Sequence, residues 1–485
     1  MEMEMQRFVT PPRMRVFRQK EWYLYFDPAN FVWTRVNESG RYILELLRKH
    51  WTAERIALRA ARDFGLEPGD AARAVSAFVE NLEAVGFLHR DEYRERERAV
   101  IGEREFPLHI YLHMTNACNL KCPYCYNKDD REWKLALEKQ ERIAPTLTTE
   151  EYKHLITRLI EEGIDRIFFT GGEPLMRPDV LELAAHARGL SDEVNLEMLT
   201  NGILLKGDTV RRVCELFDTV TISLDGHEKH LHEHYRGNNT YAPTVAGVRR
   251  LVEMKRQMGR EKPYIALVPA LTDRNIGFMK EIFEFAIDDL GADGLAPIVF
   301  QAGDHQELSL QQIPVLDVFM RESMRTGDYL LERRRRLEAE REAQGLPPLP
   351  KREPPTLVPR RDCGVGHGEI SMDPSGFVYP CQSLHFDEFQ CGNVRKQDIK
   401  EIFQNSPVMR GVRGIKVHDL AVCGHCDLRE LCNAGCRATA YNVYRDIEAH
   451  NEIYCRHLET MAVSKMWSAS DLPLHEAVEI SCSPN

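Results

Sequence analysis

The chain has 485 residues, 43% of them hydrophobic and 29% charged. That length exceeds one ordinary core, so two or three domains are expected, and the composition is that of a soluble globular protein. No apolar run approaches the roughly 18 to 20 residues of a membrane span, and a net charge of −11 argues against a general nucleic-acid binder. Residues 1–20 mix both charge signs without an apolar stretch, so no export signal is expected and the location is read as cytoplasmic.

Residues 22–36 predict a β-hairpin, with strand formers at 22–26 and 31–36 around the turn residues Asp27, Pro28 and Asn30. Asn37 can cap a helix whose apolar positions are Ile43, Leu44, Leu46 and Leu47, and Thr52 can cap a second. A third helix starts near Pro68 and Asp70, carries Ala74, Phe78, Leu82 and Val85, and stops at Gly86. Phe87 and Leu88 then return as a short strand. The result is a small winged-helix-like module over 1–98. Residues 1–100 hold 17 Lys+Arg and 16 Asp+Glu. That balance of +1 is too even for phosphate binding. Peptide capture by strand addition at the hairpin edge is the alternative, beside a packing module with no ligand. Residues 90–106 are dense in Arg and Glu and read as a linker.

Thirteen cysteines in a chain without an export signal point to metal or catalysis rather than disulfides. Cys118, Cys122 and Cys125 form a Cys-x3-Cys-x2-Cys loop after the strand-like Ile110, Tyr111 and Leu112. Three thiolates on one loop can hold three corners of a [4Fe–4S] cluster and leave one iron open. Zinc is the alternative, with His113 the near candidate for a fourth ligand. An apolar strand then runs into Gly171-Gly172-Glu173-Pro174, where glycines permit close backbone approach and Glu173 offers an acceptor. Further strands end in Thr200-Asn201-Gly202 and in Ser223-Leu224-Asp225-Gly226, with helices near 149–161, 178–190 and 209–217 between them. Alternating strands and helices with polar strand ends predict a parallel α/β barrel with its site at the top face. His227, His230, His232 and His234 are irregularly spaced for a metal site, and Cys214 reads as a core residue.

Arg333 to Arg336 lie in an Arg/Glu-rich helical stretch read as a solvated face. Pro347, Pro348, Pro350, Pro354 and Pro355 follow, so 311–360 is a helical, proline-rich linker before a domain at 361–465 and a tail at 466–485 that holds Cys482. In that last domain Cys363 and Cys381 flank a hairpin with its turn at Gly376. Cys423-x2-Cys426-x5-Cys432-x3-Cys436 and then Cys455 follow, a pattern far beyond chance for which a zinc ribbon is the plain alternative.

Three family resemblances gather these features. The strand at 22–26, the step Asn37-Glu38-Ser39-Gly40 and the closing Ala84-Val85-Gly86-Phe87-Leu88 resemble the PqqD-like peptide-recognition element of enzymes that mature ribosomal peptide natural products. That implies binding of a precursor's leader peptide along the third strand and third helix. Cys118, Cys122 and Cys125, Tyr124 before the last of them, and Gly171 to Pro174 resemble the radical SAM superfamily over about 107–310. This implies a partial (β/α)6 TIM-like barrel that binds S-adenosylmethionine. Glu173 with the backbone of Gly171, Gly172 and Pro174 would hold its amino group. Ser223 and Arg236 would reach its carboxylate and ribose, with Tyr124 and Asn201 nearby, and Asp225 would either join them or brace its strand.

The third resemblance is to the SPASM domain, which implies two auxiliary [4Fe–4S] clusters, one on Cys423, Cys426, Cys432 and Cys455 and one on Cys363, Cys381 and Cys436. Cys391 is a candidate for the missing ligand of the second, or an iron stays open to a substrate thiolate. Together the resemblances imply an enzyme that uses a 5′-deoxyadenosyl radical to form an oxidative crosslink in a precursor peptide, with electrons supplied by a donor such as flavodoxin or ferredoxin. Gln382 departs from the acidic base usual at that position in sulfatase maturases. Cys432 departs from the Asp usual in the pyrroloquinoline quinone maturase. Thioether formation is favoured over C–C or C–O crosslinks. An iron–sulfur or zinc DNA-binding regulator is the reading from another class.

Overall fold

The computed structural model describes residues 8–95, 104–125, 145–299, 316–349 and 363–469. Pro354, Pro355, Cys482 and most of the tail fall outside them.

The N-terminal strands are β1 (Phe8–Val9), β2 (Arg15–Gln19), β3 (Trp22–Asp27) and β4 (Val32–Val36), of which β2, β3 and β4 form an antiparallel sheet in that order. Helices α1 (Glu38–Arg48), α2 (Ala53–Phe64) and α3 (Pro68–Ala84) follow, and β5 (His89–Arg90) closes the module against β1. The Asn37 side chain accepts from the Gly40 N–H at 2.9 Å, and the Thr52 hydroxyl accepts from the Arg55 N–H at 3.3 Å, so both expected caps form. Gly86 ends α3 with φ +75°, and Leu82 accepts from both Phe87 and Leu88.

Two details differ from the sequence reading. The hairpin has a third strand, β2, whose charged residues gave it no apolar signature, as befits an edge strand. The returning strand is His89–Arg90, because Phe87 and Leu88 are drawn into the core at 0% and 3% exposure.

Successive residues of β3 serve two cores. Tyr25 packs with Ile43, Leu44, Leu47, Val75 and Val79 under the helices. Leu24 and Phe26, on the opposite face, pack with Phe31, Trp33, Leu428 and Met466. Burial on both faces explains the unbroken apolar run Trp22-Tyr23-Leu24-Tyr25-Phe26.

The central domain is built on six parallel strands: β6 (His109–His113), β7 (Arg166–Thr170), β8 (Asn195–Thr200), β9 (Thr219–Ser223), β10 (Tyr264–Val268) and β12 (Gly294–Leu295). A separate parallel pair joins β11 (Ala270–Leu271) to β13 (Ile298–Val299). Helices α4 (Thr149–Glu161), α5 (Val180–Leu190), α6 (Asp208–Leu216), α7 (Lys229–Arg236), α8 (Tyr241–Gln257) and α9 (Met279–Glu284) lie between the strands.

Strands neighbouring in sequence are neighbours in space, which is barrel winding rather than the reversed order of a doubly wound sheet. Ile110, Leu112, Ile167, Phe169, Leu196, Met198, Val220 and Ile222 share one core with apolar residues of the helices. The alternate residues take the other face, where Tyr111 and Phe168 stack with centroids 4.2 Å apart.

After α10 (Leu316–Ala343) the chain returns as β14 (Glu369–Met372), which pairs in parallel with β6, Ile370 opposite Ile110. β15 (Phe377–Tyr379) and β16 (Gly392–Asn393) continue antiparallel, so one nine-stranded sheet runs through both domains. The helices α11 (Ile399–Asn405), α12 (Pro407–Gly414), α13 (Arg429–Cys432), α14 (Arg437–Tyr444) and α15 (Glu452–Ala469) complete the C-terminal part.

The same sheet face of β2 to β4 that carries Leu24 and Phe26 docks there. Leu428 and Leu431, between Cys426 and Cys432, meet it together with Val463, Met466 and Trp467 of α15. Arg13 pairs with Asp427 at 2.9 Å and Arg15 with Glu459 at 3.1 Å at the rim. The N-terminal module therefore rests on a loop that carries cysteine ligands.

Candidate active site and cysteine constellations

The loop holding Cys118, Cys122 and Cys125 leaves the C-terminal end of β6 and is tied to each of the next three strands. From β7, Gly172 N–H donates to Thr115 O at 2.7 Å and Glu173 N–H to Ala117 O at 2.9 Å. From β8, the Asn201 side-chain amide donates to Asn119 Oδ1 at 2.7 Å. From β9, Asp225 accepts from the Tyr124 hydroxyl.

The glycines are required by this approach. A Cβ at Gly171, where φ is +129°, would stand 2.5 Å from Thr115 O, and one at Gly172 would overlap Ala117 O. The sequence reading gave these glycines to a ligand. In the structure their close neighbour is the backbone of the cysteine loop.

Glu173 is fully buried. Its Oε1 accepts from the Thr200 hydroxyl at 2.8 Å and Leu175 N–H at 3.2 Å, and its Oε2 from Asn201 N–H at 2.8 Å. Burial pushes its carboxyl up to about 7 while these three bonds pull it down. It links the ends of β7 and β8, and Pro174 opens the short helical turn that follows.

Asp225 is 1% exposed and accepts from Arg236 twice, at 2.7 and 3.0 Å, and from Ala270 N–H at 3.0 Å. Burial pushes the Asp225 carboxyl up, but the Arg236 guanidinium outweighs it and holds the carboxyl below the usual range. Asp225 thus braces its strand end, and Nε and Nη2 of Arg236 are committed to it. Arg236 also lies near Cys122, where it draws the thiol down while burial, the larger effect, pushes it up to about 11. Ser223 ends β9 at the same rim.

Sequence reasoning passed over Asn119 and Asn275, and named Thr200 only as part of a polar strand end. Asn275 donates to Asp225 O at 2.7 Å and Ala270 O at 2.8 Å. No local motif announces such residues, because their partners lie tens of positions away. His113, the near candidate for a zinc ligand, is buried and lies against His385 with ring centroids 4.4 Å apart and planes tilted by 33°.

The C-terminal thiols fall into two groups. Cys363, Cys381 and Cys436 act electrostatically on one another, as do Cys423, Cys426, Cys432 and Cys455. Burial pushes Cys363 and Cys432 up to about 11 and pushes Cys381 up as well, so deprotonation of these thiols is favoured by a positive centre. Among the described residues no three His, Cys, Asp or Glu side chains converge on a single metal ion. Cys391 belongs to neither group. It lies in the barrel-side core, donates to Phe389 O at 3.5 Å and bonds the Ser406 side chain. Cys214 is likewise in the core.

Comparison with known proteins matches three family models: the radical SAM superfamily over residues 112–276, the SPASM iron–sulfur cluster-binding domain over 363–427, and coenzyme PQQ synthesis protein D (PqqD) over 25–88. An AdoMet-dependent heme synthase of Oleidesulfovibrio alaskensis is 29% identical over 69% of this chain and 83% of its own length. A PqqA peptide cyclase of Bradyrhizobium diazoefficiens is 29% identical over 73% of this chain and 87% of its own. The crystal structure of Streptococcus suis SuiB bound to precursor peptide SuiA shares the fold, with TM-score 0.52 and 15% identity over 93% of this chain and 99% of that one. With all three domains in one polypeptide, the chain is a radical SAM enzyme with a SPASM domain and an N-terminal PqqD domain.

Proposed function

We propose that this enzyme matures a ribosomally made precursor peptide, held by its leader on the N-terminal module, by forming an oxidative crosslink within it. The observation that carries this reading is the PqqD domain in the same chain as the barrel, seated on the C-terminal cysteine region. The PqqA peptide cyclase and SuiB, bound to its precursor peptide in the crystal, support the peptide class. The heme synthase is similar to the same degree, so the substrate itself must be tested.

The domains are proposed at 1–98, 107–310 and 361–465, with 311–360 as linker. Cys118, Cys122 and Cys125 would hold the barrel's iron–sulfur cluster, Cys423, Cys426, Cys432 and Cys455 a second, and Cys363, Cys381 and Cys436 a third. When bound, the barrel cluster with S-adenosylmethionine supplies a radical able to take hydrogen from an unactivated carbon. The chain's own residues orient and shield. Glu173, Asn201 and Asp225 fix the cysteine loop over the barrel mouth, and Ser223 and Arg236 stand at the rim where the carboxylate and ribose of S-adenosylmethionine would lie. A thioether is the favoured bond, with C–C or C–O crosslinks as alternatives, and a flavodoxin- or ferredoxin-type donor would supply electrons in the cytoplasm.

The test is to incubate the anaerobically reconstituted enzyme with a small peptide encoded beside it. A mass loss of about 2 Da per crosslink is expected, together with weaker peptide binding after deletion of residues 1–100. An unmodified peptide whose affinity ignores that deletion overturns the reading.

A further inference from the structure

The fold buries an arginine in the C-terminal cysteine region. Arg437 opens α14, directly after Cys436, and is only 3% exposed. Its Nη1 donates to Ile447 O at 3.2 Å and Ala449 O at 3.0 Å, and its Nη2 to Ala434 O. Its Nε is buried and has no partner. Among the described residues no carboxylate pairs with it. Three carbonyls orient the guanidinium but do not neutralise it, and a buried cation without a counter-charge is strongly disfavoured.

The nearby groups that can become anionic are the thiols. The Arg437 backbone N–H hydrogen-bonds the Cys363 thiol, Cys436 is its chain neighbour, and Ala434, whose carbonyl Nη2 holds, shares an apolar cluster with Cys423, so Arg437 is tied to a thiol of each group. Thiolate-bound iron–sulfur clusters carry net negative charge, and their potentials follow charge and hydrogen bonding at the sulfurs.

We propose that Arg437 is a shared counter-charge for both C-terminal iron–sulfur sites, stabilising their reduced forms and so raising their reduction potentials. The inference rests on those cysteines holding iron–sulfur clusters. Each couple takes up one electron, and the added negative charge is what the guanidinium favours. Arg437 is therefore a tuning and positioning residue rather than a catalytic one.

The experiment is a redox titration of the reconstituted full-length enzyme followed by electron paramagnetic resonance, with iron content measured on the same samples. Wild-type iron content tests the cluster reading by itself. Arg437→Gln keeps a hydrogen-bond donor and removes the charge. Both auxiliary couples should then move to more negative potential, by about tenfold in the oxidised-to-reduced ratio, or about 59 mV for one electron. Arg437→Lys should stay near wild type. Full iron with unchanged potentials in Arg437→Gln overturns the proposal. If Arg437→Gln loses auxiliary iron, retention by Arg437→Lys supports a charge requirement, and loss in both overturns it in favour of a purely structural fork.

Discussion

The Asn201 side chain, at the end of β8, donates to Asn119 Oδ1 at 2.7 Å across 82 residues of sequence. Asn119 is the neighbour of Cys118, so this bond fixes the first cysteine's backbone to the barrel. Asn201→Ala should keep the fold and cost about 1 kcal/mol. Cleavage of S-adenosylmethionine should drop several-fold while iron content holds, and unchanged turnover would show that the other anchors suffice.

Gly172→Ala should be far more severe, because the added methyl overlaps Ala117 O and the obstacle is backbone. If the three proposed clusters are present, the barrel cluster alone should fail to assemble, with loss of about 4 of about 12 irons per chain. Gly189→Ala, on α5 where a Cβ meets nothing within 4 Å, is the control and should be neutral or stabilising by about 0.5 to 1 kcal/mol.

Cys391 and Cys381 should behave differently despite similar burial. Cys391 sits with the core and the Ser406 side chain, and burial pushes its thiol up to about 12. Cys391→Ala should retain full iron at a small stability cost, whereas Cys381→Ala should lose auxiliary iron. Equal iron loss in both would place Cys391 among the ligands.

The seat of the N-terminal module can be tested through Asp427, whose side chain is 8% exposed and faces Arg13 and Arg15. Asp427→Lys puts like charges together and should loosen docking, raising hydrogen exchange over the end of α15 with iron unchanged. Reversing Arg13 to Glu in the same chain should restore part of the protection, while Arg15 keeps its pair with Glu459.

Acid should weaken the rim of the barrel through His232. Its Nδ1 accepts from Asp225 N–H at 3.2 Å, which requires the neutral ring, and burial pulls its pKa down to about 4. The unfolded chain binds this proton near pH 6.5. The stabilisation is therefore complete above that pH and lost as pH falls through 4, by roughly 2 to 3 kcal/mol. Denaturant midpoints at pH 7 and pH 5 should differ less in His232→Asn than in wild type.

Much of this architecture was legible because its signals are local. Caps at Asn37 and Thr52, helix periodicity and cysteine spacing all act within a few residues. What escaped depends on pairing between distant segments. The charged edge strand Arg15–Gln19 declares itself only beside β3, and the unbroken apolar run of β3 reports burial on two faces without naming the second partner. The motif at Gly171 to Glu173 pointed correctly to close backbone approach. Its partner, the Thr115 and Ala117 carbonyls, could not be read from spacing. The burial of Arg437 likewise has no local signal, since its carbonyl partners at 447 and 449 are set by the fold of the loop after α14.

The parallel pairing of β14 with β6 sets a distance. Adjacent strands lie about 4.8 Å apart and slide by neither hinge nor linker, so the thiols around Cys381 and the loop that begins after His113 share one rigid ruler. The intervening segment that carries α10 connects the two halves without gauging their separation. Extra residues inserted there should change chain length and leave the spacing between the thiol groups as it is.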